Sequence, residues 1–257
     1  MSPALFGFPN VVSSYRRVMA ISCNHGNRAN ADALAAVLLF REVFKPHECI
    51  HLGDNYDMAS LRAGALSNKD DGDAADDYLS DLDEGRKFLN DLRPTVFILG
   101  NHDERPKRYL KHHNAVVKGY AEAVWTRMLE PIDRHCHTFI DTHDVLPRSW
   151  YPLGGWKYGH GILYSENYLR DTAEAWGNCV VGHAHRAGIA QGRTSDPSTA
   201  MSPGCLANVK CMEYAHKRRA TLAWSFGIVF GEYTTNRSQL YLHQWKQNET
   251  EWNLPSF

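Results

Sequence analysis

Four short apolar runs, rich in β-branched residues, each stop at a turn that carries amide, imidazole or carboxylate groups. Met19-Ala20-Ile21-Ser22 runs into Cys23-Asn24-His25, and Cys49-Ile50-His51-Leu52 into Gly53-Asp54-Asn55-Tyr56-Asp57. Thr95-Val96-Phe97-Ile98-Leu99 runs into Gly100-Asn101-His102-Asp103-Glu104, and Cys179-Val180-Val181 into Gly182-His183-Ala184-His185. Continuous apolar runs of this length read as strands buried on both faces. In α/β sheets ligands collect beyond the strand ends, so four such ends bearing metal-ligand residue types point to one reactive edge.

Between the strands the period changes. Asn30 caps a helix whose Ala33, Val37, Phe40 and Phe44 share a face, and Pro46 stops it; a strand from Glu48 to Leu52 then follows as a parallel β-α-β crossover requires. Beyond an acidic loop, Asn68-Lys69-Asp70-Asp71-Gly72-Asp73, the spacing predicts a helix with Tyr78, Leu82 and Leu89 inward and acids on a solvated face. The loop lacks the ligand spacing and closing glutamate of a calcium loop. Val117, Tyr120, Ala121, Val124 and Met128 predict a strongly amphipathic helix packed on the sheet. The stretch Pro131 to Gly155, with Arg134-His135-Cys136-His137 and Asp141-Thr142-His143-Asp144, reads as irregular surface loop or substrate wall. Runs between Ala220 and Trp245 read as a terminal antiparallel meander, and Met1 to Tyr15 as an extended arm.

A length of 257 residues fits one domain, with 1–16 as an N-terminal arm and 104–157 as a variable insert shaping the substrate site. The hydrophobic and charged fractions, 43% and 22%, are those of a soluble globular chain, and no apolar run is long enough to cross a bilayer. Met1 to Asn10 carries no basic n-region and the first strong apolar run arrives only near Val18, so no signal peptide is expected and the expected address is cytoplasmic, with no membrane partner. Six scattered cysteines form neither a disulfide framework nor a zinc ribbon. A net charge of −1 gives no global attraction to a nucleic-acid backbone. Of the fourteen histidines, His25, His102, His160, His183 and His185 fall at glycine-flanked strand ends.

These residues suggest a chemistry. Asp54, after a glycine that permits a sharp turn, is the natural carboxylate to bridge two metal ions. His25, His160, His183 and His185 supply imidazole nitrogens and Asn101 an amide oxygen; the rings of His183 and His185 point to one side if the loop is extended and diverge to different metals if it curls. Mixed nitrogen and oxygen ligands suit manganese, iron or zinc rather than calcium. Two such cations hold a phosphate and make hydroxide available near neutrality. His102 is then the acid for the departing oxygen, Asp57 orients it, and Arg105 is a candidate contact for the substrate phosphate.

Gly53-Asp54-Asn55-Tyr56-Asp57, Gly100-Asn101-His102-Asp103 and Gly182-His183-Ala184-His185 resemble, in order, the Gly-Asp-x-x-Asp, Gly-Asn-His-Asp/Glu and Gly-His-x-His motifs of the calcineurin-like metallophosphoesterases. Met201-Ser202-Pro203-Gly204-Cys205 resembles the turn that follows the last motif. The resemblance implies a four-layered α/β/β/α sandwich with two mixed β-sheets, and hydrolysis of phosphoesters. It assigns His25, Asp54 and His185 to one metal, Asp54, Asn101, His160 and His183 to the other, and His102 with Asp57 to catalysis. Two departures stand out. The family opens with Asp-x-His where this chain has Cys23-Asn24-His25, so a thiolate ligand is expected in place of a carboxylate. Met58-Ala59 replace the arginine and glycine that follow Asp57 in protein phosphatases, which disfavours a phosphoprotein substrate.

The expectation is therefore a binuclear phosphodiesterase or phosphatase of small or nucleotide-like substrates. One alternative is a nuclease served by the basic runs Arg105 to Lys111 and Lys217-Arg218-Arg219. Another, of a different class, is a metal-binding scaffold impaired by Cys23.

Overall fold

The computed structural model describes residues 15–67, 72–212 and 223–256. The arm up to residue 14, the Asn68–Asp71 part of the acidic loop, the Lys217-Arg218-Arg219 run and Thr221-Leu222 lie outside these residues.

Strands β1 (Arg16–Ile21), β2 (Glu48–His51), β3 (Val96–Ile98) and β4 (Thr138–Ile140) lie side by side and parallel. Helix α1 (Ala31–Phe44) connects β1 to β2. A short α2 (Ala63–Ser67) and α3 (Tyr78–Leu92) connect β2 to β3, and α4 (Ala115–His135) connects β3 to β4. The Asn30 side chain caps α1 by accepting from the Ala33 N–H at 2.9 Å, as its position before the apolar stripe predicts. On the other side of β1 the sheet is completed by an antiparallel hairpin, β10 (Ser225–Tyr233) and β11 (Ser238–Lys246). The second sheet runs in the order β5 (Tyr151–Leu153), β6 (Trp156–Gly159), β7 (Cys179–Val181), β9 (Thr199–Pro203), β8 (Ala187–Gln191). Its core, β6-β7-β9, is parallel, and both edges are antiparallel.

Alternation along each strand explains the layering, since successive side chains leave opposite faces. Val18, Ala20, Ile50, Val96 and Ile98 face Tyr158, Val180 and Met201 of the second sheet. Their neighbours Met19, Ile21 and Cys49 face Val37 and Phe40 of α1 and Phe88 and Leu92 of α3. On the far side, Cys179, Val181 and Ala200 meet Leu169 and Ala173 of α5 (Tyr168–Trp176). The result is the expected four-layered sandwich of two mixed sheets. Each fully buried aliphatic or aromatic side chain in it contributes about 1.5–3 kcal/mol.

Three local expectations are corrected. The stretch from Pro131 is not irregular: α4 continues through Pro131 to His135, and β4 and β5 follow. Proline removes one backbone donor, but the adjoining Met128 and Ile132 are buried against β3 and hold the turn in place. The acids of α3 are not all solvated, because Asp81 is wholly buried. The apolar stripe of α4 packs inward only over Ala121, Val124, Met128 and Ile132; Val117 is half-buried and Tyr120 exposed. Of the terminal meander, β10 and β11 are its strands among the described residues, and Ala223-Trp224 lie outside them.

Candidate metal centre and catalytic pair

The carboxyl ends of β1, β2 and β3 in one sheet, and of β6 and β7 in the other, open onto the same edge. Each turns sharply there. Cys23, His25, Asp54, His183 and His185 all adopt positive φ, between 55° and 65°, a left-handed conformation that costs non-glycine residues roughly 1–3 kcal/mol each. The turns cross closely: a Cβ on Gly100 would stand 2.1 Å from Asp54 Oδ1 and 2.2 Å from its backbone nitrogen. Gly100→Ala is therefore expected to lower stability by about 3 kcal/mol, read as a fall in the urea midpoint without change in m. An unchanged midpoint would mean that the two loops do not approach as described.

Two buried carboxylates outside the candidate ligand set tie these loops together. Asp103 accepts from the backbone N–H of Gly100, Asp54 and Tyr56 at 2.9, 2.8 and 2.9 Å, stitching the end of β3 to the end of β2. Burial, reinforced by the Asp54 carboxylate, pushes the Asp103 carboxyl up to about 7 even though the N–H donors oppose it. Asp81 reaches from α3 to accept from the N–H of Asp57 and Met58 at 3.0 and 2.8 Å. Burial pushes its carboxyl up to about 6. His51 donates through Nε2 to Asn24 Oδ1 at 2.8 Å and accepts from Gly53 N–H at 3.1 Å; burial drives it down to about 3, so it is a neutral brace.

The side chains these loops project form two adjoining groups that share Asp54. Cys23, His25, Asp54 and His185 present ligand atoms within 4.8 Å of one another, and Asp54, His160 and His183 do the same. Asn101 joins the second group, its Oδ1 lying 3.0 Å from His160 Nε2 and 2.8 Å from His183 Nδ1. The loop at His183-Ala184-His185 is curled, so its two rings diverge to different groups. Hydrogen bonds set the tautomers. His160 donates from Nδ1 to the Leu52 carbonyl at 2.7 Å, and His25 from Nδ1 to Asp57 Oδ1 at 2.8 Å, which leaves both Nε2 lone pairs pointing inward.

Cations fit this donor set. His25 Nε2 and His185 Nε2 stand 3.0 Å apart, and His160 Nε2 faces the Asn101 carbonyl oxygen at 3.0 Å and the Asp54 carboxylate that raises its pKa against burial, a convergence of nitrogen and oxygen ligand atoms that suits a positive charge between them. Asp54 Oδ2 is buried without a hydrogen-bond partner, 3.3 Å from His160 Nε2 and 3.9 Å from His25 Nε2. Cys23 Sγ is buried in the same cluster and accepts from the His183 N–H at 3.3 Å. Without a cation, burial and the nearby Asp54 carboxylate hold its thiol well above the ordinary range.

Beside the first group, Asp57 Oδ1 accepts from His102 Nδ1 at 2.6 Å as well as from His25. One oxygen thus orients both a candidate ligand and the candidate acid. Burial lowers the His102 pKa, against the pull of Asp54 and Asp57. Arg105 is no solvated residue: it is buried, donates from Nη1 to the Asp57 carbonyl at 2.6 Å, and sets Nη2 3.4 Å from His102 Nε2.

Every candidate site residue read from the sequence comes to this edge. The reading overlooked Arg28, whose Nε lies 3.0 Å from Asp57 Oδ2 while Nη2 reaches Asp73 at 3.0 Å and Asp76 at 3.3 Å. The described acids after the acidic loop are therefore clamped to the catalytic pair. It also gave no role to Asp81 or Asp103, nor to Glu104, which pairs with His143 at 3.2 Å; the His143 ring lies 6.1 Å from that of His160, at the mouth of the second group. Position inside a motif was an available signal for Asp103 alone.

Fold and site together define a two-sheet sandwich with a shared-carboxylate ligand cluster at one edge. No protein-family model matches the chain, and no curated protein matches it. Among solved structures it is similar to a metallophosphoesterase from Sphaerobacter thermophilus, at 17% identity over 90% of this chain and 88% of that one, with a TM-score of 0.48. It is also similar to the phosphoesterase Yfce from E. coli (16% identity, 90% and 100% covered, TM-score 0.38). A third likeness is to a Vps29 mutant from Entamoeba histolytica (10%, 90% and 99%, 0.41). Identities and TM-scores this low carry no function across.

Proposed function

We propose that this chain hydrolyses phosphoester bonds with two transition-metal ions, manganese, iron or zinc, and acts on small or nucleotide-like substrates. The observation that carries the reading is Asp54, one buried carboxylate with an unpartnered oxygen, within reach of two separate ligand groups. The motif resemblance points the same way. Cys23, His25, Asp54 and His185 would hold one ion and Asp54, Asn101, His160 and His183 the other. Bound there, the ions would neutralise phosphate charge and acidify water toward neutrality. His102, with its Nδ1 N–H fixed on Asp57, would give a proton from Nε2 to the departing oxygen when charged as the imidazolium, the form that Asp54 and Asp57 favour against burial. Arg105 adds positive charge beside His102 and would contact the substrate phosphate, and Asn101 would contact the substrate as well as the second ion. The two sheets both supply ligands, which supports a single working domain.

Part of the basic run is turned away from a nucleic-acid substrate, while Arg108 and Lys111 are exposed. Arg105 is turned inward and Lys107 donates to the Asp141 carbonyl at 2.8 Å, so neither offers the free cation that a polymer backbone needs. No described helix is long and apolar enough to cross a membrane. Six unpaired cysteines suit the reducing cytoplasm.

Chelation followed by dialysis is expected to abolish turnover of chromogenic monoester and diester substrates, and added manganese, iron or zinc to restore it, with about two ions per chain by elemental analysis. Cys23→Ala is expected to lower occupancy toward one, and Cys23→Asp to regain it with weaker preference for zinc, the softer thiolate being gone. Metal-replete protein that turned over no phosphoester until Cys23→Asp was introduced would instead establish the scaffold alternative.

A further inference from the structure

A cavity of about 210 Å³ opens one residue beyond Asp57 and one residue beyond Arg105. Met58, which follows Asp57, and Pro106, which follows Arg105, form its inner wall. Apart from Ser60 the rest is apolar or aromatic: Leu61, Tyr78, Tyr109, Val117, Tyr120 and Val124 among its lining residues. Consecutive Cα atoms are 3.8 Å apart, so this wall stands within about one residue of His102's partner. The guanidinium of Arg105, held by the Asp57 and Met58 carbonyls at 2.6 and 3.3 Å and 3.4 Å from His102 Nε2, links the Met58 wall of the cavity to His102.

The cavity explains why the α4 stripe is only half used for packing. Val117 and Tyr120 continue the pattern of Ala121 and Val124 but lie over the cavity instead of the sheet, with Tyr120 44% exposed and its ring 5.4 Å from that of Tyr78. An apolar stripe left over an open space beside a catalytic acid is a binding wall, since nothing in the packing of the helix needs it. A dry cavity of about 150 Å³ already accepts benzene.

We infer that this cavity receives the apolar organic part of the leaving alcohol, so that the preferred substrates are phosphoesters of aromatic or aliphatic alcohols rather than of polar ones such as sugars. This rests on the phosphoesterase reading and narrows it. With His102 serving the leaving oxygen as proposed, Arg105 lies 3.4 Å from His102 Nε2 and donates to the carbonyl of Met58 in the cavity wall, so the group attached to that oxygen is placed on the cavity side. Few polar groups line the cavity, so it rewards burial and not hydrogen bonding.

The test compares 3-phenylpropyl phosphate with propyl phosphate, and the corresponding methyl diesters, whose leaving alcohols have similar intrinsic reactivity and differ in apolar bulk. The metal-loaded wild type is expected to favour the phenylpropyl ester in kcat/KM by tenfold or more. Val117→Trp, at a half-buried helix position able to take a larger side chain, is expected to collapse that ratio by filling the space. Binding of the non-hydrolysable 3-phenylpropylphosphonate and propylphosphonate by calorimetry is expected to show the same preference and its loss in Val117→Trp. Equal turnover of both esters by wild type, or a ratio that survives Val117→Trp, would overturn the cavity's role and leave the phosphoesterase reading standing. Turnover of neither ester would overturn both.

Discussion

Asp54→Asn is expected to reduce turnover by roughly three orders of magnitude or more and to empty both metal positions, not one. Among the described residues the carboxylate is the sole ligand candidate common to the two groups, and the amide that replaces it brings no negative charge to offset two dications. It also disturbs the neighbouring loop, because Asp54 Oδ1 accepts from the His102 N–H at 2.8 Å. Elemental analysis after dialysis separates this from a loss of fold, which circular dichroism would register. If Asp54→Asn retained two ions per chain and lost only rate, the shared-ligand account would be wrong.

The second large effect belongs to Asp57. Its Oδ1 receives hydrogen bonds from His25 and His102 together, and its Oδ2 faces Arg28. Asp57→Asn leaves one acceptor where two donors converge and puts an N–H₂ group toward Arg28. Metal affinity at the His25 group is expected to fall about 10–100-fold, as when partners of ligating histidines are removed. The rate is expected to fall by about 10²–10⁴, the contribution of a positioned general acid. His102→Gln is expected to show the rate loss alone, with metal content intact, and to show it least for substrates whose leaving group needs no proton, such as p-nitrophenyl esters. The Asp57→Asn/His102→Gln double variant should then be little slower than the worse single one, because the residues act as a unit. Additive losses would mean that Asp57 and His102 serve different steps.

The strand ends were readable because a strand buried on both faces must be apolar without alternation, and the abrupt change to Gly-Asp, Gly-Asn-His and Gly-His is then visible at its end. That shows in β2, β3 and β7, whose terminal residues all lie where the motifs place them. Whether His183 and His185 serve one ion or two was not readable, since it depends on the sign of φ at two non-glycine residues, which neighbouring packing imposes. Arg28 and Asp81 were hidden for a related reason. Charged residues are ordinarily exposed, and only the tertiary approach of α3 to the ends of β1 and β2 buries them. Pro131 misled in the opposite direction, local propensity giving way to the burial of Met128 and Ile132 on either side of it.

The candidate ligands come from both sheets of the sandwich: Cys23, His25, Asp54 and Asn101 from the first sheet's loops, His160, His183 and His185 from the second's. Cations held between them would act as rivets across a seam that is otherwise held by apolar contact. Ligand bound to the native state alone stabilises it by RT ln(1 + [L]/Kd), so scarcity of metal would shorten the life of the polypeptide itself, and its abundance in a cell would follow metal supply before any change in its synthesis.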